Sequence, residues 1–235
     1  MPAFIDELDE AGINLAVVMG RSAPMPFGNV SNADVAELVA TFPERFIGFG
    51  SVGGNQAATR DSVDEIVSLG LVGVALDNGY WNLHDDDPGL FALYARLEKE
   101  GLILSLTNSI VIAPDLSYCM PVHIERVAIR FPALRIVVPH GAWPWTTQMC
   151  AVAFKCPNVY VAPDIYMHLP NIPGSDHYLQ AANSFLSYRL MYASSYPIRP
   201  LGQSVRQFEQ LGFESDEIRA RCKGANAAEL LRLVK

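Results

Sequence analysis

Seven apolar runs recur along the chain: Leu15–Met19, Phe46–Val52, Val72–Leu76, Leu102–Leu106, Arg135–Val138, Val159–Ala162 and Leu190–Ala193. They lack the alternation of apolar and polar residues, so the strands they predict are covered on both faces. Between them lie segments with apolar residues at helical spacing: Ala33–Thr41, Ala57–Leu69, Leu90–Glu100, Ile124–Phe131, Trp145–Lys155 and Asp176–Ser187. Ser204–Leu211, Glu214–Lys223 and Asn226–Leu233 follow the last run, and Phe4–Ile13 precedes the first. Asp87-Pro88 reads as an N-cap followed by a first-turn proline. Gly70 and Gly101 stand where helices end, and Pro43, Pro132 and Pro157 stop the helices before them.

Strand starts fall about 30 residues apart, the length of one βα unit. Buried strands alternating with helices predict a parallel sheet, either a barrel or a doubly wound layer. No GxGxxG follows any strand, and GSVGGN (Gly50–Asn55) is only a loop at a strand end, so a dinucleotide fold loses ground. A closed TIM-type (β/α)8 barrel needs eight strands, and seven runs are present. The expectation is therefore a barrel that lacks its first strand or closes some other way. With no linker-like stretch, residues 1–235 are expected to form one domain.

Composition narrows the functions. The net charge is −8, and no Lys/Arg-rich run exists to supply the basic face a nucleic acid needs. No apolar run approaches the ~18 residues of a membrane span. Only 18% of residues are charged and half are apolar, which points to a homo-oligomer or a thickly covered core. Cys119, Cys150, Cys156 and Cys222 are scattered without a CxxC, as free thiols in a reducing cytoplasm are. Met1–Glu10 carries acidic residues and no basic leader.

The stretch VVPHGAWPW, Val137–Trp145, carries the chemistry. His140 ends a buried strand, where barrels place catalytic groups, and an imidazole with a pKa near ~6.5 suits proton transfer at neutral pH. Asp164 ends the next strand and is the candidate partner or second acid. Asp77, Asn78, Thr107, Asn108 and Ser109 end two others. Asp77 and Asn108 are candidate substrate ligands, while Asn78 and Ser109 read as turn chemistry. Arg21, after the first strand, could clamp a carboxylate. Trp143, Tyr166 and Tyr196 are rim aromatics that could wall a slot for a small flat or apolar substrate, whereas Trp145 reads as the start of a helix. His84 reads as exposed and His123 as opening a helix. His168 and His177 flank an irregular loop with the features of a lid, and with Asp176 they are a conceivable metal set without a recognised spacing.

The segments ERFIGFGSV, LGLVGVAL, HIERVAIRFPALRIVVPHGAWPW, CPNVYVAPD, LMYASSYP and KGANAAELL, in this order, resemble the amidohydrolase-related family of metal-dependent hydrolases. That family includes aminocarboxymuconate-semialdehyde decarboxylase and the resorcylate-type decarboxylases. The resemblance runs from about Asp9 to Leu233. It implies a (β/α)8 barrel with a divalent metal, often zinc. The implied ligands are a His-x-His pair on the first strand, a His after the fifth and an Asp after the eighth, with a proton-transferring His after the sixth. Carried over, the first-strand pair has no counterpart, and the fifth-strand His matches Leu106 or its neighbour Thr107. The final Asp matches Ser195, and the sixth-strand His is His140. The implied metal set is therefore incomplete, since zinc needs at least three protein ligands. The implied function is a hydrolase or decarboxylase-type lyase acting on a small carboxylated or lactone-like molecule. The alternative is a metal-free, non-catalytic relative that binds a small ligand or a partner subunit.

Overall fold

The structure, a computed structural model, describes residues 2–53 and 60–233. Strands and helices alternate from α1 (Pro2–Glu10) and β1 (Ala16–Met19) through α2 (Asn32–Thr41), β2 (Phe46–Ser51), α3 (Arg60–Ser68) and β3 (Gly73–Leu76). Then come α4 (Phe91–Glu100), β4 (Ile103–Leu106), α5 (Pro121–Arg130), β5 (Arg135–Pro139), α6 (Thr146–Lys155) and β6 (Val159–Ala162). Helices α7 (Ile165–His168), α8 (Asp176–Ala182), α9 (Leu201–Glu209) and α10 (Asp216–Ala220) follow. A π-helical turn (Arg221–Ala225) then leads into α11 (Asn226–Leu230). The start of the helix expected from Ala57 lies outside the described residues.

The local signals act as expected. Ser31 Oγ accepts from the Asp34 amide to cap α2, and Asp87 Oδ1 accepts from Gly89 N at 2.8 Å. Gly101 ends α4 at φ 70°, a left-handed conformation that costs glycine little. The segment 167–177, read as an irregular lid loop, instead starts in the last residues of α7 and ends in the first of α8. Asp164 caps α7, its carboxylate accepting from Tyr166 N.

All six strands pair in parallel in chain order, β1 to β6, as a curled barrel sheet of the TIM type. Alternation sorts their side chains. Val74, Leu76, Leu104, Leu106, Ile136, Val138, Val159 and Val161 face the helices in the main core. Phe49, Ile103, Val137, Ala162 and Met191 fill the interior together with Leu230 of α11. Gly73 is needed there, because a Cβ would lie 2.5 Å from the Phe49 ring and 2.7 Å from the Ile103 carbonyl oxygen.

The seventh predicted strand shrinks to a single parallel bridge, Leu190 to Val161. The reason is where its backbone is spent. Leu190 N donates to Leu186 O and Tyr192 N to Cys222 O, so a turn and the C-terminal segment occupy the edge a strand would offer. On the other side β1 is an edge strand, and its inward Val17 and Met19 are 38% and 37% exposed. The helical layer nevertheless closes. Helix α1 packs on α9, and Glu7 Oε1 accepts from Leu201 N at 2.8 Å. The opening is confined to the strand layer.

All four cysteines are free and buried. Burial pushes the thiols of Cys119, Cys150 and Cys222 up to about 12. They are protonated packing groups. Among the described residues, no helix is long and apolar enough to cross a membrane.

Candidate active site at the barrel mouth

By alternation His140 would follow Ile136 and Val138 toward the helices. The backbone breaks that alternation: φ is 62° at His140, 59° at Gly141 and 57° at Ala142. Gly141 has no room for a side chain, since a Cβ would lie 2.8 Å from the Tyr178 hydroxyl, which donates to the Gly141 carbonyl. The turn brings the His140 ring onto Asp164, with Nδ1 to Oδ2 at 2.5 Å. At that separation the ring nitrogen and the carboxylate touch directly, and hydrogen bonding and charge both favour the protonated ring. No protein group among the described residues engages Nε2.

Asp164 is itself at φ 48°, ψ −128°, a region normally left to glycine. Ser195, at the matching point after Leu190, has φ 56°. Non-glycine residues in such conformations cost about 1–3 kcal/mol each and cluster where function requires them. His140, Asp164 and Ser195 carry that cost at three neighbouring ends of the sheet.

Burial alone would pull the imidazole down. The Asp164 carboxylate beside it, with Asp77 beyond, outweighs burial and raises the His140 pKa above its ordinary value; Arg21 pushes the other way. Arg21 and Asp77 thus act on the same imidazole from the ends of β1 and β3. They pair with each other through Nε at 3.5 Å, with side-chain exposures of 52% and 10%. Tyr166 stands edge-on to His140, ring centres 6.0 Å apart, and Trp143 stacks on Tyr166 at 5.0 Å and 8°. Trp143 is fixed from behind, its Nε1 donating to Pro173 O at 2.9 Å. Trp145 precedes α6, as its apolar neighbours suggest.

Other predicted residues are engaged elsewhere. Asn108 Nδ2 donates to Asp85 Oδ2 at 3.2 Å, and Asn78 Nδ2 donates to Asp85 Oδ1 at 2.9 Å. Tyr196 stacks on Phe4 of α1 at 4.8 Å. His84, expected in solvent, is half-buried between Tyr118 and His123, because the loops after β3 and β4 fold over one another. His123 does lie in the first turn of α5, its Nδ1 2.6 Å from Asp86. The conceivable set of His168, His177 and Asp176 does not assemble. His168 is buried with Nε2 3.3 Å from Ala193 O, while His177 contacts the Thr147 hydroxyl.

Sequence reasoning missed Asp85. It is one of three consecutive aspartates, and nothing local marks it. Burial raises its pKa to about 6, against the lowering effect of the two asparagine amides. Its signal was the pair of asparagines at the ends of adjacent strands.

Comparison with known proteins places the molecule. The amidohydrolase family model matches residues 6–233. A 2-amino-3-carboxymuconate-6-semialdehyde decarboxylase of Dictyostelium discoideum is 25% identical, over 97% of this chain and 76% of that protein. An uncharacterized TIM-barrel protein of Bordetella bronchiseptica superposes with a TM-score of 0.91 at 36% identity, covering 99% of this chain and 82% of its own. The 5-carboxyvanillate decarboxylase of Sphingomonas paucimobilis shares the fold, with a TM-score of 0.72 at 20% identity over 97% and 82% of the two chains.

Proposed function

The chain belongs to the amidohydrolase family, and from that premise we propose that it is a hydrolase or decarboxylase-type lyase acting on a small carboxylated or lactone-like substrate, with His140 as general acid/base. The observation that carries this is the His140–Asp164 contact of 2.5 Å on strained backbone at a barrel mouth. Both reactions need one proton moved at one place. Hydrolysis takes it from water, and decarboxylation returns it to the carbon that loses carbon dioxide. Asp164 fixes the ring through Nδ1 and stabilises the imidazolium, which leaves Nε2 to exchange the proton. Arg21 and Asp77 position polar substrate groups, and the Trp143–Tyr166 stack walls one side and excludes water. Asn108 and Tyr196 would reach a substrate only by leaving Asp85 and Phe4. The whole chain acts as one barrel domain.

The test is a panel of small carboxylates and lactones, scored for carbon dioxide release and ring opening. His140→Asn should lower the rate on any substrate found by about 10²-fold; an unchanged rate ends the assignment. Saturable binding with no turnover across the panel would favour a non-catalytic ligand-binding barrel, the reading that Thr107 and Ser195 at the matched ligand positions support.

A further inference from the structure

The family resemblance implies a divalent cation at the mouth, and the donor chemistry of this chain can be set against it. Leu106 lies fully buried on the helix side of β4, so the inward position is Thr107, after Ile103 and Ser105. A threonine follows β4 where the family resemblance implies an imidazole. At the other matched position, Ser195 offers a neutral hydroxyl, buried and without a hydrogen-bond partner. Among the described residues, no group of three or more His, Cys, Asp and Glu is gathered closely enough to hold a metal ion. His140 turns Nδ1 to Asp164. These donors do not fit zinc, which takes three or more charged or strongly donating ligands.

A positive charge is already built into the same place. Arg21 follows β1 and reaches Asp77 after β3, which puts its guanidinium at the same end of the parallel sheet as His140 after β5. Its contact with Asp77 runs through Nε at 3.5 Å, at the limit of hydrogen-bond reach, so the Nη fork is not committed to it. The side chain is 52% exposed, at the end of the sheet where Asp77, His140 and Asp164 follow β3, β5 and β6. A divalent cation there would meet a like charge, whereas a carboxylate would meet its complement, two parallel N–H donors.

We propose that this barrel mouth takes an anionic substrate without a divalent cation, with the Arg21 guanidinium binding the substrate carboxylate. The inference rests on the reading that the mouth is the active site, and it assigns the substrate class a carboxylate that is bound, not only reacted upon.

The experiment measures metal and anion binding separately from turnover. Protein purified without chelators is assayed for zinc, manganese, iron and nickel by mass spectrometry. Benzoate, a one-carboxylate probe, is then titrated by calorimetry with and without EDTA. Metal well below one ion per chain and equal benzoate affinity in both buffers are expected. Arg21→Gln should weaken benzoate about tenfold or more, with part of the loss recovered by Arg21→Lys, which keeps the charge but not the fork. Asp77→Asn, which frees Arg21 from that ion pair, should tighten benzoate a few-fold, so a poorly folding Arg21 variant leaves a second measurement. Zinc or manganese at one per chain with binding abolished by EDTA overturns the inference. So does wild-type affinity in Arg21→Gln, or no saturable benzoate binding by the wild type. None of these outcomes touches the His140 assignment, which is read from turnover in His140→Asn.

Discussion

Two buried carboxylates lie in loops that follow strands of this barrel, and the protein holds them in opposite ways. Asp85 is clamped by two neutral amides from the loops after β3 and β4, and its neighbour Tyr94 donates to the Asp85 carbonyl. Asp164 faces a titratable imidazole across a 2.5 Å contact, on backbone that a non-glycine residue seldom adopts. The amide clamp satisfies the carboxylate oxygens and stabilises only one arrangement of the loops. The imidazole contact leaves Nε2 open. The difference teaches that burial of an acid does not mark a site. A titratable partner, strain and an unfilled donor do.

That contrast predicts opposite results from mutation. Asp85→Ala leaves two buried asparagine amides without acceptors, at about 1–3 kcal/mol each, so a stability loss of about 3–5 kcal/mol is expected by urea titration, with near-normal turnover per folded molecule. His140→Asn should do the reverse. Its barrier rises by about 2.7 kcal/mol, equivalent to 10²-fold in rate, with little change in the urea midpoint.

Asp164→Asn sharpens the comparison through pH. Asp164 raises the imidazole pKa, so the variant should lower it, move the acidic limb of the pH–rate profile to lower pH and cost about tenfold in rate; an unmoved limb refutes the coupling. The stability linkage has a definite sign. A histidine with a raised folded pKa contributes stability that is complete below ~6.5 and fades as pH rises through the folded value. Asp85, raised from 3.8 to about 6, behaves alike at lower pH: its protonated form favours folding, and that benefit fades between those two values. Asp85→Asn should flatten the lower window and His140→Gln the upper one, as thermal melts across pH would show. The smallest effect belongs to Tyr196→Ala. Its ring rests on Phe4, so about 1 kcal/mol of stability should go without a change in turnover.

Much of the architecture was legible in the sequence because it depends on local rules. Apolar runs without alternation, capping residues and helix-ending glycines mark strands and helices wherever they occur, and the alternation of the two predicts parallel pairing. Leu190–Ala193 was misread for a tertiary reason. Its composition suits a strand, and Met191 N does reach Val161 O of β6, but the alternate amides of Leu190 and Tyr192 went to Leu186 and Cys222 and not to a further strand. That His140 and Asp164 come together was legible because strand ends are where a barrel gathers side chains.

What the sequence could not supply was direction. Alternation alone would point His140 at the helices, and only the left-handed turn from His140 to Ala142 swings it to Asp164. Likewise, Asn108 looked no different from a substrate ligand until the loops crossed and gave it to Asp85. Element type is set by neighbours a few residues away, which the chain spells out. The pairing of side chains from different strand ends depends on backbone angles and loop crossings fixed only when the whole barrel packs.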